Sequence, residues 1–289
     1  MILDKIKLKE ARHLLTYDCP LACLHCYMSA GEHSEVKPLK FSQEQADKFY
    51  GFFKPEVVSA TGGEPLMQYD LVKILARATE KYNGALELVT NGLLLNADKV
   101  KELNSLNKNL FYQISLDGTR EYHDKLRQRK GAYDSAINAI DLASSSGRLT
   151  KVRMTVTPEN QSQIEEVAKF LDSYKRDNIR LVMRPIIASG RAKVNNLGFG
   201  PEFSGKLESS DYNLNHVKIE TTDNLGKCGC GIDTIALDPK GDIYPCCYMV
   251  FTPKFKMGNL LDDFENLRQH EEFVNFKGTC YARHSGMQK

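Results

Sequence analysis

Three cysteines in Cys19-Pro20-Leu21-Ala22-Cys23-Leu24-His25-Cys26-Tyr27 set the chemistry this chain can do. They stand three and two residues apart, directly after the short apolar run His13-Leu14-Leu15-Thr16-Tyr17. A loop leaving a strand there can fold all three sulfurs toward one point. Thiolates are soft donors that select zinc or iron–sulfur clusters. A structural zinc site usually takes four protein ligands, one more than this loop supplies. A cubane of four irons held by three thiolates keeps one iron open to a small molecule. The rival reading is a zinc knuckle.

The elements that must position this loop follow from the rest of the chain. At 289 residues it suits one large α/β domain, or one domain with a small appendage. A hydrophobic content of 42% with no low-complexity tract is enough for a sizeable core. The net charge of +2 is too small to argue for nucleic acid or an anionic membrane surface as a partner. The N-terminus has no apolar signal core and no window approaches a membrane span, so a cytoplasmic protein is expected. In that compartment cysteines serve as metal ligands or catalysts rather than disulfides. The eight cysteines fall into two groups: Cys19, Cys23 and Cys26, then Cys228, Cys230, Cys246, Cys247 and Cys280. Two metal sites in two domains are expected.

Short apolar runs at 57–61, 86–90, 111–116, 152–156 and 179–184 read as strands that follow the first. Helices are predicted over 42–53, opened by a Ser42/Gln45 capping box, and over 69–82, 97–106, 133–145 and 161–174. Residues 119–131 read as a polar loop. Strands alternating with helices imply parallel βαβ units with right-handed crossovers. The fold class is therefore α/β, and six units fit a partial (β/α)6 barrel of the TIM type over residues 1–188. Residues 189–216 read as a linker, and 217–289 as a small cysteine-rich module. In parallel barrels the loops after the carboxyl ends of strands build the active site. The Cys loop, Gly62-Gly63-Glu64-Pro65, Thr90-Asn91-Gly92 and Ser115-Leu116-Asp117-Gly118 all fall there.

The Cys loop resembles the signature of the radical S-adenosylmethionine (SAM) enzymes, C-x3-C-x-aromatic-C, with His25 in the aromatic slot. The resemblance implies a 4Fe–4S cluster on Cys19, Cys23 and Cys26 whose open iron chelates the amino and carboxylate groups of SAM. An electron then cleaves SAM to a 5′-deoxyadenosyl radical that takes hydrogen from an unreactive C–H bond. Gly62-Gly63-Glu64-Pro65 is similar to the family's GGEP element, where a carboxylate or carbonyl accepts from the ammonium of SAM. Ser115 and Asp117 resemble the fourth-strand element, with Asn91 lining the same pocket. Arg127 is similar to a residue that supplies a cation to the SAM carboxylate. Arg153 and Arg184 point from strands five and six. A buried arginine needs an anionic partner, so one of them is expected to meet substrate or SAM. Gly190-Arg191-Ala192 resembles a structural turn of family members that carry a cysteine-rich extension.

Cys230, Gly241 and Cys246 are spaced like the opening half of a SPASM domain, and only Cys280 follows. The chain thus resembles the shorter twitch variant with one auxiliary 4Fe–4S cluster, a structural zinc site being the rival. Its expected ligands are Cys228, Cys230, Cys246 and Cys280. Neighbouring residues in extended chain face opposite ways, so Cys247 is expected to turn away from Cys246, toward the barrel mouth. The alternative makes Cys247 a ligand and Cys228 the spare thiol. Sulfatase-maturing relatives carry an aspartate base in the Cys247 slot, and its replacement by a thiol argues against their chemistry. A thiol can return a hydrogen atom to a Cα radical, as in radical SAM peptide epimerases. The implied function is epimerisation in a ribosomally made precursor peptide, with an external electron donor such as flavodoxin or ferredoxin. A dehydrogenase or thioether-forming cyclase, and a non-catalytic zinc protein, are the alternatives.

Overall fold

The computed structural model describes residues 8–33, 35–198, 214–221 and 229–262. Strand β1 (Glu10–Leu14) begins three residues before the run read as its start, so the strand is centred on Arg12. It is followed by β2 (Val57–Thr61), β3 (Ala85–Thr90), β4 (Phe111–Ser115), β5 (Thr150–Val156) and β6 (Ile179–Pro185). All five neighbouring pairs among these six strands run parallel. Helices α1 (Gln43–Phe53), α2 (Tyr69–Glu80), α3 (Ala97–Leu106), α4 (Arg120–Arg127), α5 (Ala132–Ser145) and α6 (Ile164–Asp172) fill the crossovers.

Local sequence explains most of these boundaries. Ser42 Oγ accepts from Gln45 N and Gln45 Oε1 accepts from Ser42 N, the reciprocal box that starts α1. Lys54 closes the same helix in the left-handed region. One exception is α4, which occupies the segment expected to be a loop. Its sequence, Arg-Glu-Tyr-His-Asp-Lys-Leu-Arg, offers little apolar periodicity, and the helix rests on burying His123, Leu126 and Arg127. Two of those three are polar, so only the tertiary partners described below make the helix favourable.

One face of the sheet packs against the helices. Val152, Met154 and Val156 of β5 alternate into this core, with Phe49, Tyr50, Leu75 and Ile140 from the helices. Burying each of the large side chains contributes roughly 2–3 kcal/mol. The intervening residues Lys151, Arg153 and Thr155 face the other way, into the barrel interior.

The sheet does not end at six strands. β7 (Lys218–Thr221) pairs parallel with β6, and β8 (Thr234–Leu237) pairs parallel with β1. β9 (Asp242–Tyr244) and β10 (Gly258–Asn259) then extend the β8 edge antiparallel, giving the order β10-β9-β8-β1-β2-β3-β4-β5-β6-β7. Both edges of the six-stranded unit are thereby covered, which removes exposed ladder groups. The cysteine-rich part of the chain is thus hydrogen-bonded to the first barrel strand. Between them, residues 191–194 form a short helix, α7 (Arg191–Val194), inside the stretch read as linker. Among the described residues, no helix is long and apolar enough to cross a membrane.

Candidate active site

The Cys loop leaves β1 and is tied down at several points. Gly31 N donates to Tyr17 O, Leu24 N to Leu126 O of α4, and Cys26 N to Cys23 O. Gly190-Arg191-Ala192 acts as a strap beneath it. Arg191 N donates to Cys26 O, its Nε to Cys23 O and its Nη1 to Ala30 O, each at 2.9 Å. A Cβ on Gly190 would lie 2.5 Å from Tyr27 O. The turn is structural, as expected, and what it supports is the cysteine loop.

Each of the three sulfurs receives an N–H donor. Asn91 Nδ2 lies 3.7 Å from Cys19 Sγ, Arg127 Nη1 3.8 Å from Cys23 Sγ, and Ala30 N 3.3 Å from Cys26 Sγ. Burial pushes the Cys19 thiol up to about 12 and raises Cys23 as well. Without metal these thiols stay protonated. The N–H donors stabilise the thiolate form, which is the form a metal selects. This donor set fits an iron–sulfur cluster. Among the described residues, no three His, Cys, Asp or Glu side chains are grouped to hold a metal ion. His25 Nδ1 is buried without a hydrogen-bond partner, leaving an orphaned polar atom in the same loop.

Four loops were expected to meet SAM, and the structure divides them. The Gly62-Gly63 backbone lies against the segment leading into the Cys loop: Gly63 N donates to Thr16 O and Glu64 N to Asp18 O. A Cβ on Gly63 would meet Asp18 O at 2.1 Å, and one on Gly62 would meet Thr16 O at 2.4 Å. Gly63→Ala is therefore expected to push the Cys loop out of place and lower stability by about 1–3 kcal/mol. The check is iron content after anaerobic reconstitution, together with a chemical denaturation curve. Ser115 stands half-buried at the end of β4, and Asn91 is used at Cys19.

The Glu64 and Asp117 carboxylates are both engaged by protein donors. Glu64 is fully buried, and its carboxylate accepts from Thr90 Oγ1, Asn91 N and Leu66 N. Burial still pushes it up to about 7. It fixes the turn after β3. Asp117 is likewise fully buried. Its Oδ2 accepts from Arg127 Nε at 2.7 Å and Nη2 at 2.6 Å, and its Oδ1 from Thr155 N at 2.9 Å. His25 Nε2 lies 3.8 Å from the same carboxylate. Burial alone would push Asp117 up; the Arg127 guanidinium overrides it and holds the carboxyl down at about 2. Asp117 and Arg127 therefore lock α4 and the Cys loop to the end of β4. The charge of Arg127 is already matched, and its remaining N–H faces Cys23.

The second cysteine group lies across the barrel mouth. Cys228 and Cys280 fall outside the described residues. Cys246 and Cys247 are not in extended chain, because Met249 N donates to Cys246 O and closes a turn there. The alternation expected of them therefore fails. The Cys246 thiol hydrogen-bonds both Cys230 and Cys247, and the Cys230 contact, with burial, pushes it up to about 12. Cys247 also reaches the barrel side: Arg12 Nη1 lies 3.8 Å from its sulfur, and Tyr27 packs against the apolar cluster that contains it. The Tyr27 ring packs on Tyr248 with centroids 4.7 Å apart. Tyr27 directly follows Cys26, so one tyrosine bridges the two cysteine groups. Sequence reasoning missed Arg12 because β1 was placed too late in the chain. Tyr27 and Tyr248 gave no signal beyond standing beside cysteines.

Comparison with known proteins agrees with this geometry. The chain matches the model of the radical SAM superfamily over residues 14–171. It belongs to the radical SAM superfamily. Residues 228–288 match the SPASM iron–sulfur cluster-binding domain. This radical SAM chain accordingly takes a SAM-binding 4Fe–4S cluster, SAM, and auxiliary iron–sulfur chemistry at its second cysteine group.

Mycofactocin maturase MftC of Mycolicibacterium smegmatis is 29% identical over 285 residues, covering 89% of this chain and 69% of that protein. The subtilosin biosynthesis protein AlbA of Bacillus subtilis is 25% identical over 259 residues, covering 86% of this chain and 56% of AlbA. Streptococcus suis SuiB bound to S-adenosylmethionine superposes with a TM-score of 0.69 at 17% identity, over 92% of this chain and 66% of SuiB. Native anSMEcpe with bound AdoMet gives a TM-score of 0.65 at 17% identity, over 91% of this chain and 82% of that one. These superpositions establish the partial-barrel fold. The chain thus spans little more than half of AlbA and just under two thirds of SuiB.

Proposed function

We propose that this chain modifies a ribosomally made precursor peptide, inverting an L-residue to its D-form at Cα. The observation that carries the reading is the buried Cys247 thiol, 3.8 Å from Arg12 of β1 and packed in the cluster that Tyr27 covers. Relatives described as a mycofactocin maturase and as a subtilosin biosynthesis protein support a peptide as substrate. So does the fold of SuiB, which has been crystallised with the precursor peptide SuiA. Residues 1–188 would form the barrel, 189–216 the connection and 217–289 the auxiliary-cluster module.

The bound cluster and SAM supply a 5′-deoxyadenosyl radical once an external donor such as flavodoxin or ferredoxin provides one electron. The chain's own residues do the rest. Asn91, Arg127 and the Ala30 amide each donate toward one sulfur of Cys19, Cys23 and Cys26. Gly62 and Gly63 keep the backbone clear for SAM, and Ser115 lines the space above β4. Removal of the Cα hydrogen on one face of the substrate yields 5′-deoxyadenosine and a Cα radical. Cys247 then gives its S–H hydrogen to the opposite face, leaving a thiyl. One further electron and one proton from the external donor and solvent restore the thiol. Burial and the Cys246 contact raise the Cys247 thiol, so it keeps the hydrogen it must deliver.

The product of this reaction has unchanged mass. Run in deuterated water, it is expected to gain one deuteron at the inverted Cα, because the thiol exchanges. Cys247→Ala is expected to retain 5′-deoxyadenosine formation and lose inversion; mass spectrometry and chiral amino-acid analysis read both. A second reading rests on the Cys246–Cys247 contact. If Cys247 is a ligand of the auxiliary cluster, the chain is a dehydrogenase or thioether-forming cyclase. Its product would be lighter by two hydrogens.

A further inference from the structure

Among the described residues, two arginines in the barrel interior have no carboxylate in direct contact. Arg153 on β5 and Arg184 on β6 face inward and are half-buried. In the sheet register Arg153 stands opposite Val182 and Thr155 opposite Arg184, which makes the two arginines diagonal neighbours on one face. Among the described residues, neither makes a hydrogen bond or ion pair with a carboxylate. Arg184 lies over the ring of Tyr248, 5.8 Å from its centroid.

The acidic side chains nearby are already engaged. Glu10 accepts from Arg12 at 2.7 and 2.8 Å and from Ser59 at 2.9 Å. Glu87 accepts from Ser59 at 2.6 Å and pairs with Lys151 at 3.6 Å. The interior therefore carries two guanidinium charges in excess. Burial, with the charge of Arg184, lowers Arg153 to about 10. An unpaired buried charge is expensive to keep, and planar guanidinium forks match carboxylates in particular.

The place of the pair says which anion. Arg153 is in register with Ser115, at the SAM end of β4. Arg184 lies against Tyr248, the residue after Cys247. Arg12, not this pair, is the arginine turned to the Cys247 sulfur. The two charges thus flank the space between the hydrogen-abstracting end and the hydrogen-returning thiol.

We infer that Arg153 and Arg184 form a carboxylate-binding subsite that orients the substrate peptide within the barrel. The carboxylate belongs either to an acidic side chain next to the modified residue or to the peptide's C-terminus. This inference rests on the reading that the peptide enters the barrel, whatever the outcome at Cα.

The test is calorimetric binding to the full chain, reconstituted with iron and sulfide and saturated with SAM. Three probes are used: N-acetylglutamate α-amide for a side-chain carboxylate, N-acetylalanine for a C-terminal one, and neutral N-acetylglutamine α-amide. One acidic probe is expected to bind at least about tenfold tighter than the neutral probe, the scale of a charge-assisted hydrogen-bonded pair. Which acid prevails identifies the source. Arg153→Gln with Arg184→Gln is expected to abolish the preference, and Lys at both positions to restore part of it. If the double variant loses its iron–sulfur absorbance, the single Gln variants stand in, each with a reduced preference. Equal binding of acid and neutral probes, or a preference that survives in the Gln variants, overturns the subsite. So does a loss confined to SAM affinity, or a shift only in the auxiliary cluster's potential. Product mass and chirality are read separately, so failure of inversion at Cα would not be mistaken for failure of the subsite.

Discussion

Asp117→Asn is expected to destabilise the protein by about 3–5 kcal/mol, because it leaves the Arg127 guanidinium buried without its counter-charge. Both oxygens of Asp117 are committed, one to Arg127 and one to the Thr155 amide. An asparagine keeps the shape and one acceptor but presents an NH2 group to one of these donors. His25 and His123 cannot share the charge, since burial lowers each to about 4 and both are neutral at physiological pH. The damage should extend to the metal. Freed from Asp117, Arg127 loses the geometry that places Nη1 beside Cys23, and α4 loses its hold on the Cys loop. Denaturant titration together with iron content is the check, and a variant with wild-type stability and full iron would refute the lock.

The same pair sets an acid limit. The folded carboxyl is held at about 2 against an ordinary 3.8. A depressed carboxyl stabilises the fold above its unfolded value, and that contribution disappears as pH falls toward the folded value. The window for this group is therefore pH 3.8 down to about 2. A difference of roughly two units corresponds to about 2–3 kcal/mol. Wild-type stability should fall across that window more steeply than that of Asp117→Asn.

Replacing Cys19, Cys23 and Cys26 together with alanine is expected to abolish SAM cleavage altogether. Without these thiolates nothing holds the cluster whose open iron the SAM amino and carboxylate groups need. Among the described residues the second cysteine group stands just before β8 and in the turn after β9, on chain segments separate from the Cys loop. The triple variant should therefore keep the auxiliary share of the iron, about half if each group binds one cubane. Mössbauer spectra and 5′-deoxyadenosine formation are the measurements. Residual turnover in the triple variant, or complete loss of iron, contradicts two independent cluster sites.

Much of the architecture is legible in the residues. The capping box at Ser42 and Gln45, the strand at 57–61 and the helix at 97–106 appear where local chemistry places them. Each depends on interactions within a few residues, or on apolar runs whose burial follows in any parallel barrel. Helix α4 is different, because its buried residues include His123 and Arg127 and its favourable energy comes from Asp117 on another element. Glu64 shows the same limit in reverse. Its motif marks a site, yet its carboxylate is spent on three donors of neighbouring turns.

By itself the sequence determined the chemistry: three thiols at a spacing that leaves an iron open, and a second thiol group far along the chain. It also determined the order of parallel βαβ units, because periodicity and turn residues act locally. Only the tertiary structure decided which polar groups face the ligand and which hold the loops. Hydrogen bonds and charge pairs between distant segments, such as Asp117 with Arg127 or Cys247 with Arg12, depend on sub-ångström placement that no spacing encodes. The turn at Cys246 illustrates why: Met249 N donates to Cys246 O, so the two adjacent cysteines are placed by a turn and not by the alternation of an extended chain.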